Sequence, residues 1–232
     1  MKNPFVDFRS IPARKKEIPL ERIVRLKEET LGHILKSYLR VVEEEAKDLV
    51  WLVNRSRVVK TYESALEAIR DISYDQDDIE EFCTELDRSN HIPYMITGPA
   101  GVYASALINQ SEEEKIELKL SNFKRTFHFL GYRLPRGKTL LLKGDAGDFI
   151  GAGLAGGRLV VEGGVGNWCG AGMTKGEIVV TEYTGQKTGE WMRGGEIHVD
   201  ERIRSMGENP FGGRVYERGQ QIYPRSPDSP KK

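Results

Sequence analysis

Between Gly144 and Asp200 the chain writes one pattern three times: GDAGDFIGAGLAGGRLVVE, GGVGNWCGAGMTKGEIVVT and EYTGQKTGEWMRGGEIHVD. The copies align without gaps at an offset of 19 residues, a period that belongs to a stacked coil rather than to a single-copy catalytic motif. Glycines separated by that period therefore count as one structural position. Gly147, Gly166 and Gly185 form one set, Gly151, Gly170 and Gly189 a second, and Gly157, Gly176 and Gly195 a third. Each set is expected at turns that need positive φ, or where neighbouring coils approach too closely for a Cβ.

Every copy closes with a β-branched run: Arg158 to Glu162, Glu177 to Thr181, Glu196 to Asp200. Strand alternation sends Leu159/Val161, Ile178/Val180 and Ile197/Val199 to one face. Stacking the copies predicts ladders of Leu159, Ile178 and Ile197, of Val161, Val180 and Val199, and of Leu154, Met173 and Met192. One coil cannot bury its own apolar face, so adjacent coils must supply the core. The pattern continues in weaker form through Gly131, Gly137, Leu140 and Leu142, and again at Gly213 to Glu217, where it runs one residue short. Ile116, Leu118 and Leu120 alternate as an entering strand.

The first hundred residues carry little glycine and show helical spacing instead, with Leu31, Ile34/Leu35, Tyr38/Leu39, Val42, Ala46, Leu49/Val50 and Val53 on one stripe. Thr61 is expected to cap a helix over Tyr62 to Ile72, Asp75 to cap one carrying Ile79, Phe82/Cys83 and Leu86, and Pro99 to open a short helix through Ile108. Pro93 marks a break, with Tyr94 to Ile96 extended. The expected organisation is a helical domain over 1–110, a repeat domain over 111–223 and a disordered Pro/Ser/Lys tail over 224–232.

Lys plus Arg total 35 and Asp plus Glu total 35, which leaves no electrostatic footprint for duplex nucleic acid. No apolar run reaches the ~20 residues of a membrane span, and Met1 is not followed by a signal-peptide pattern. Cys83 and Cys169 are the two cysteines, too few for a disulfide framework or a zinc site, and a reducing cytoplasm is the expected setting.

Gly151-Ala-Gly-Leu-Ala-Gly156 matches GxGxxG, but a dinucleotide site needs a helix after the glycines and here a strand sequence follows. Cys169 falls in register with Ile150 and Thr188, which marks it as a core or turn filler rather than a nucleophile. Asp148, Asn167 and Gln186 form a polar ladder suited to side-chain-to-backbone hydrogen bonds. His198 takes the outward strand face, and Trp168 and Trp191 are large for turn positions. With Trp51, beside the Val58/Val59 pair, these are the candidate interface residues.

The run Gly131-Tyr-Arg-Leu-Pro-Arg-Gly137, followed by Leu140 to Asp148 and Gly151 to Gly157, resembles the GXGXG domain that ends the large (α) subunit of glutamate synthase. The same domain forms the C component of formylmethanofuran dehydrogenase, to which the ending Gly-Gly-Glu-Ile-His-Val-Asp200 and Gly212-Gly-Arg-Val-Tyr216 is more similar. The resemblance covers roughly residues 116 to 223 and leaves the helical region unplaced. It implies an α+β chain in which helices precede a right-handed, single-stranded parallel β-helix without catalytic, cofactor-binding or metal-binding residues. It also implies a scaffold role beside flavin, iron–sulfur, amidotransferase or metal-dependent partners in a cytoplasmic oxidoreductase complex. In that reading the helical region adapts the scaffold to its partner. Two alternatives stay open: a free-standing enzyme using Asp148, Asn167, Tyr183 and His198 at a cleft between helices and coils, and a homo-oligomeric binding module.

Overall fold

A computed structural model describes residues 20–45, 55–89 and 98–224. Four helices come first: α1 (Leu20–Glu45), α2 (Arg55–Ile69), α3 (Gln76–Arg88) and α4 (Pro99–Gln110). A parallel β-solenoid of about four turns follows. Its strands are β1 (Lys115–Lys119), β2 (Thr139–Lys143), β3 (Ala155–Glu162), β4 (Lys175–Val180), β5 (Tyr183–Thr184), β6 (Arg193–Val199), β7 (Arg202–Ile203), β8 (Gly212–Glu217) and β9 (Gln220–Tyr223).

The helices meet through residues spaced three and four apart, as packing of amphipathic faces requires. Ile34, Tyr38, Val41 and Val42 of α1 are buried with Tyr62, Ala65 and Ile69 of α2 and Ile79, Phe82 and Leu86 of α3. Tyr38 sits edge-on to Phe82 and to Tyr103, with ring centroids 5.4 and 5.2 Å apart. Asp75 caps α3 in a capping box with Asp78, and Lys27 of α1 reaches the Asp75 carboxylate at 2.6 Å. Pro99 stands in the first turn of α4.

One helix boundary differs from expectation. Thr61 does not cap a helix: α2 begins at Arg55, and Thr61 is fully buried inside it. Its neighbours Val58, Tyr62, Ala65 and Ile69 form an uninterrupted helical stripe, which outweighs the local capping signal. Val58 belongs to that stripe and is buried rather than part of an open patch. The long helix begins at Leu20, the segment from Leu20 to Leu26 joining the expected stripe in one helix. The expectations at Trp51, Ala46, Leu49/Val50, Val53, Pro93, Tyr94 to Ile96 and the tail beyond 224 lie outside the described residues.

The main sheet has the order β1-β2-β3-β4-β6-β8-β9, parallel throughout except for the final β8–β9 pair. Register places Leu140 beside Leu159, Leu159 beside Ile178, Ile178 beside Ile197 and Ile197 beside Val215. Ile116, Leu118 and Leu142 extend the same inward rows, and all of these side chains are buried. A shorter sheet pairs β5 with β7, continuing bridges from Ala146 to Val165 and from Val165 to Thr184. The GxGxxG segment runs directly into β3.

Four successive coils turn through three left-handed residues at alternate positions. Phe149, Gly151 and Gly153 have φ of 59°, 67° and 64°; Trp168, Gly170 and Gly172 have 57°, 66° and 66°. Phe129/Gly131/Arg133 and Lys187/Gly189/Trp191 repeat the arrangement on either side. Left-handed non-glycine residues are strained, so their recurrence at one register reflects a turn that the stacked coils impose. The same register stacks Phe129 on Phe149 and Phe149 on Trp168, with centroids 4.7 and 4.9 Å apart and rings parallel to within 3°. That distance is the strand spacing itself, about 4.8 Å, which accounts for face-to-face rings in place of the usual edge contacts.

A coil satisfies its backbone groups by bonding to its neighbours, and the first coil lacks one on its N-terminal side. The helices supply the missing partners. Gln76 accepts from the Glu117 amide at 3.0 Å, and Asp87 accepts from the amides of Lys124 and Arg125 at 3.2 and 3.0 Å. Ser105 donates to the Phe129 carbonyl and accepts from the Tyr132 amide. A Cβ at Gly101 would land on the His128 carbonyl oxygen, so α4 lies directly on the first coil. The apolar core runs continuously from helices to coils. Among the described residues, no helix is long and apolar enough to cross a membrane.

Candidate functional site

Two of the three expected rungs of the polar ladder, Asp148 and Asn167, are taken up by the backbone, while the Gln186 side chain is exposed. The Asn167 amide donates to Asp148 Oδ1 at 2.6 Å, and the Gln186 amide donates to Asn167 Oδ1 at 2.8 Å. His128 is an additional first rung, its Nδ1 accepting from the Asp148 amide at 2.7 Å. Sequence reading missed it because the offset there is 20 residues rather than 19. Burial pushes the His128 pKa below the ordinary histidine value, with Asp148 pulling the other way. A neutral ring is what an acceptor nitrogen requires.

The same ladder explains three of the candidate glycines. A Cβ at Gly147 would meet the Phe127 carbonyl oxygen at 2.9 Å, while at Gly166 and Gly185 it would collide with Asp148 and Asn167 Oδ1 respectively. None of the three has positive φ; close approach is their constraint. Gly151, Gly170 and Gly189 are left-handed, at φ of 67°, 66° and 69°. Gly176 and Gly195 are also left-handed, but a bulge between Ala155 and Arg158 shifts that role from Gly157 to Gly156, which has φ of 129°. Gly157 is confined instead by Leu134, whose Cγ lies 2.7 Å from where its Cβ would be.

Cys169 is fully buried beneath this turn, and burial pushes its thiol up to about 12. Cys83 in the helical core is shifted to about 12, by burial first and by Glu80 second. Neither is a thiolate near neutral pH. His198 bonds Glu196 at 3.1 Å and stacks on Tyr216 at 4.5 Å. Trp168 is half-buried in the ring stack with Lys187 6.0 Å from its centroid, whereas Trp191 is 49 % exposed.

Glu190 is a buried carboxylate that the repeat pattern did not disclose. It is 1 % exposed and accepts from the amides of Glu208 and Asn209 at 2.9 and 3.1 Å and from Asn209 Nδ2 at 2.9 Å. Burial raises its pKa, but these donors outweigh burial and hold it below the usual carboxylate value. The only sequence signal was an acid at the register of Ala152 and Ala171.

The residues of the enzyme alternative are placed on separate elements. Asp148 and Asn167 share the turn ladder, Tyr183 stands on β5 over Gly164, and His198 faces outward from β6. Two open cavities of ≈ 380 and ≈ 470 Å³ flank α2 and share Glu63 and Glu67. Among the described residues, no group of three His, Cys, Asp or Glu side chains gathers in a way that could hold a metal ion. The arrangement defines a class: a parallel β-solenoid closed at its N-terminal end by a helical cap, with Asp148 and Asn167 bound to its own backbone. No protein-family model, curated protein or solved structure matches the chain.

Proposed function

We propose that the chain is a non-catalytic scaffold subunit of a cytoplasmic oxidoreductase complex, and that its coils form a right-handed, single-stranded β-helix similar to the C-terminal domain of the glutamate synthase α subunit. The observation that carries this reading is the GXGXG glycine spacing across successive coils, together with the commitment of their polar residues to the backbone. Asp148 and Asn167 accept from the following coil, and Cys169 is sealed in the core. A side chain held in this way stabilises a stack and is not free to act on a substrate. The functional surfaces are then outward ones, with Trp191 at 49 % exposure and Phe211 at 70 % as the most exposed aromatic side chains of the coils. In this reading the helices serve as end cap and as adaptor to the partner.

Anaerobic purification of the tagged chain from its native cell tests the proposal. The expected result is co-purification with flavin, iron–sulfur or amidotransferase polypeptides, with cofactor absorbance that stays with those polypeptides when the complex is dissociated. A stoichiometric cofactor retained by the isolated chain, or recovery of the chain without partners, overturns it.

A further inference from the structure

The last turn of the solenoid carries an aromatic patch that the earlier turns lack. Two neighbouring coils form it: the Trp191 amide donates to the Asn209 carbonyl at 3.1 Å, and the Phe211 amide donates to the Met192 carbonyl at 2.8 Å. Both rings are exposed, whereas glycines 153 and 172 hold the Trp191 position in the two preceding coils. A Cβ at Gly172 meets nothing within 4 Å, so the ground beside Trp191 is open. The Arg193 guanidinium lies 5.9 Å from the Phe211 centroid, and among the described residues no carboxylate pairs with it.

The chain itself brings an occupant to this place. β9 runs antiparallel to β8, back towards Gly212 and Phe211, and Tyr223 Oη donates to the Pro210 carbonyl at 3.2 Å. Residues 225–232, outside the described residues, follow directly. From Pro224 onward the sequence reads PRSPDSPKK, with proline at every third position. A polyproline II helix has three residues per turn. In that conformation Pro224, Pro227 and Pro230 share one edge, and Arg225, Asp228 and Lys231 share the next. Proline fixes φ near the value this helix needs, and segments with this spacing dock on aromatic-lined surfaces. We propose that the patch of Trp191 and Phe211 is a docking site for a polyproline II segment and that residues 225–232 of the same chain occupy it, with the proline edge on the two rings and Asp228 towards Arg193.

Reach and affinity both fit a tethered occupant. Eight residues at ~3.1 Å each extend about 25 Å, whereas Phe211 and Trp191 stand on coils about 4.8 Å apart. A contact with two rings is weak for a free peptide, but a short tether supplies an effective concentration in the millimolar range. The docking does not depend on the scaffold proposal. Within that proposal, the tail covers an outward aromatic surface until a partner displaces it.

N–H correlation spectra of the full chain test the docking, read at the Trp191 indole and at the Arg193 and Phe211 amides. Pro227→Ala combined with Pro230→Ala is expected to shift all three signals, while Ser226→Ala combined with Ser229→Ala, on the remaining edge, leaves them in place. Added peptide with the sequence of residues 224–232 returns the signals of the proline variant to their wild-type positions at millimolar concentration. The wild-type positions hold from low micromolar to several hundred micromolar chain. Signals indifferent to the proline substitutions, equal shifts from the serine variant, or no return with the peptide overturn the proposal. Wild-type signals that move with chain concentration also overturn it, and assign the patch to the tail of another copy.

Discussion

Gly170 and Gly172 offer a controlled experiment within one turn. Both have φ of 66°, yet a Cβ at Gly170 would lie 2.6 Å from Ile197 Cδ1, 3.1 Å from Ile178 Cδ1 and 3.3 Å from Met173 Sδ, whereas one at Gly172 meets nothing within 4 Å. Alanine at either position incurs the left-handed penalty, about 1–2 kcal/mol. Alanine at Gly170 also forces the terminal methyls of two fully buried isoleucines to shift, adding overpacking of about 1–3 kcal/mol. Gly172→Ala is expected at the low end of its range, since Arg133 and Trp191 already occupy the same register at φ of 54° and 56°. For a chain of this size about 1 kcal/mol shifts Tm by roughly 2–4 °C. Gly170→Ala should therefore melt several degrees below Gly172→Ala, which in turn melts below the wild type. Scanning calorimetry and urea unfolding followed by circular dichroism supply the comparison. Equal losses for the two variants, or a larger loss for Gly172→Ala, would refute the argument that coil-to-coil contact constrains Gly170.

Glu190→Ala leaves three donors without their carboxylate and should destabilise the C-terminal coil by about 2–4 kcal/mol, read as faster amide exchange at Glu208 and Asn209. Because the folded-state pKa of Glu190 is depressed, its stabilisation is present above the unfolded carboxylate value and lost as pH falls through the folded one. A melt series in that acidic range should show a steeper loss for the wild type than for Glu190→Gln. His128 also has a depressed pKa, and for a histidine that means stability is full while the ring is neutral and declines as pH drops below the unfolded value of about 6.5. His128→Gln should flatten the Tm profile between neutral pH and the folded-state pKa. Cys83 and Cys169 should resist a thiol reagent such as DTNB in the native chain and react fully in denaturant, because burial both excludes the reagent and raises each thiol to about 12.

The helical cap changes how the ends of the solenoid are understood. At the N-terminal end, side chains of α3 and α4 take the place of a preceding coil, as Gln76, Asp87 and Ser105 do for the amides of Glu117, Lys124, Arg125 and Tyr132. At the other end β9 folds back antiparallel on β8, and the Glu217 carboxylate accepts from the Ile203 amide at 2.7 Å. Both devices close an edge that would otherwise template further strands. The helices thus have a structural task even without a partner.

The sequence alone determined the repeat, the strand residues, the buried ladders from Leu159 to Ile197, the cap at Asp75 and the helix start at Pro99. These follow from local rules: a fixed period forces like residues into one register, and alternation then decides which of them face inward. Thr61 was misread because a capping preference is a local energy of about 1 kcal/mol, small beside the burial of the stripe around it. Only the tertiary structure could decide the rest. Left-handed φ at Phe149, Trp168 and Lys187 is not a property of phenylalanine, tryptophan or lysine; it is imposed by the coils above and below. The Glu190 clasp joins residues 18 and 19 positions apart across a coil boundary, and the shift of the left-handed role from Gly157 to Gly156 depends on a bulge that no periodic pattern encodes. A repeat specifies what each coil does to the next one like it, while bulges, clasps and caps arise where the coils cease to be alike.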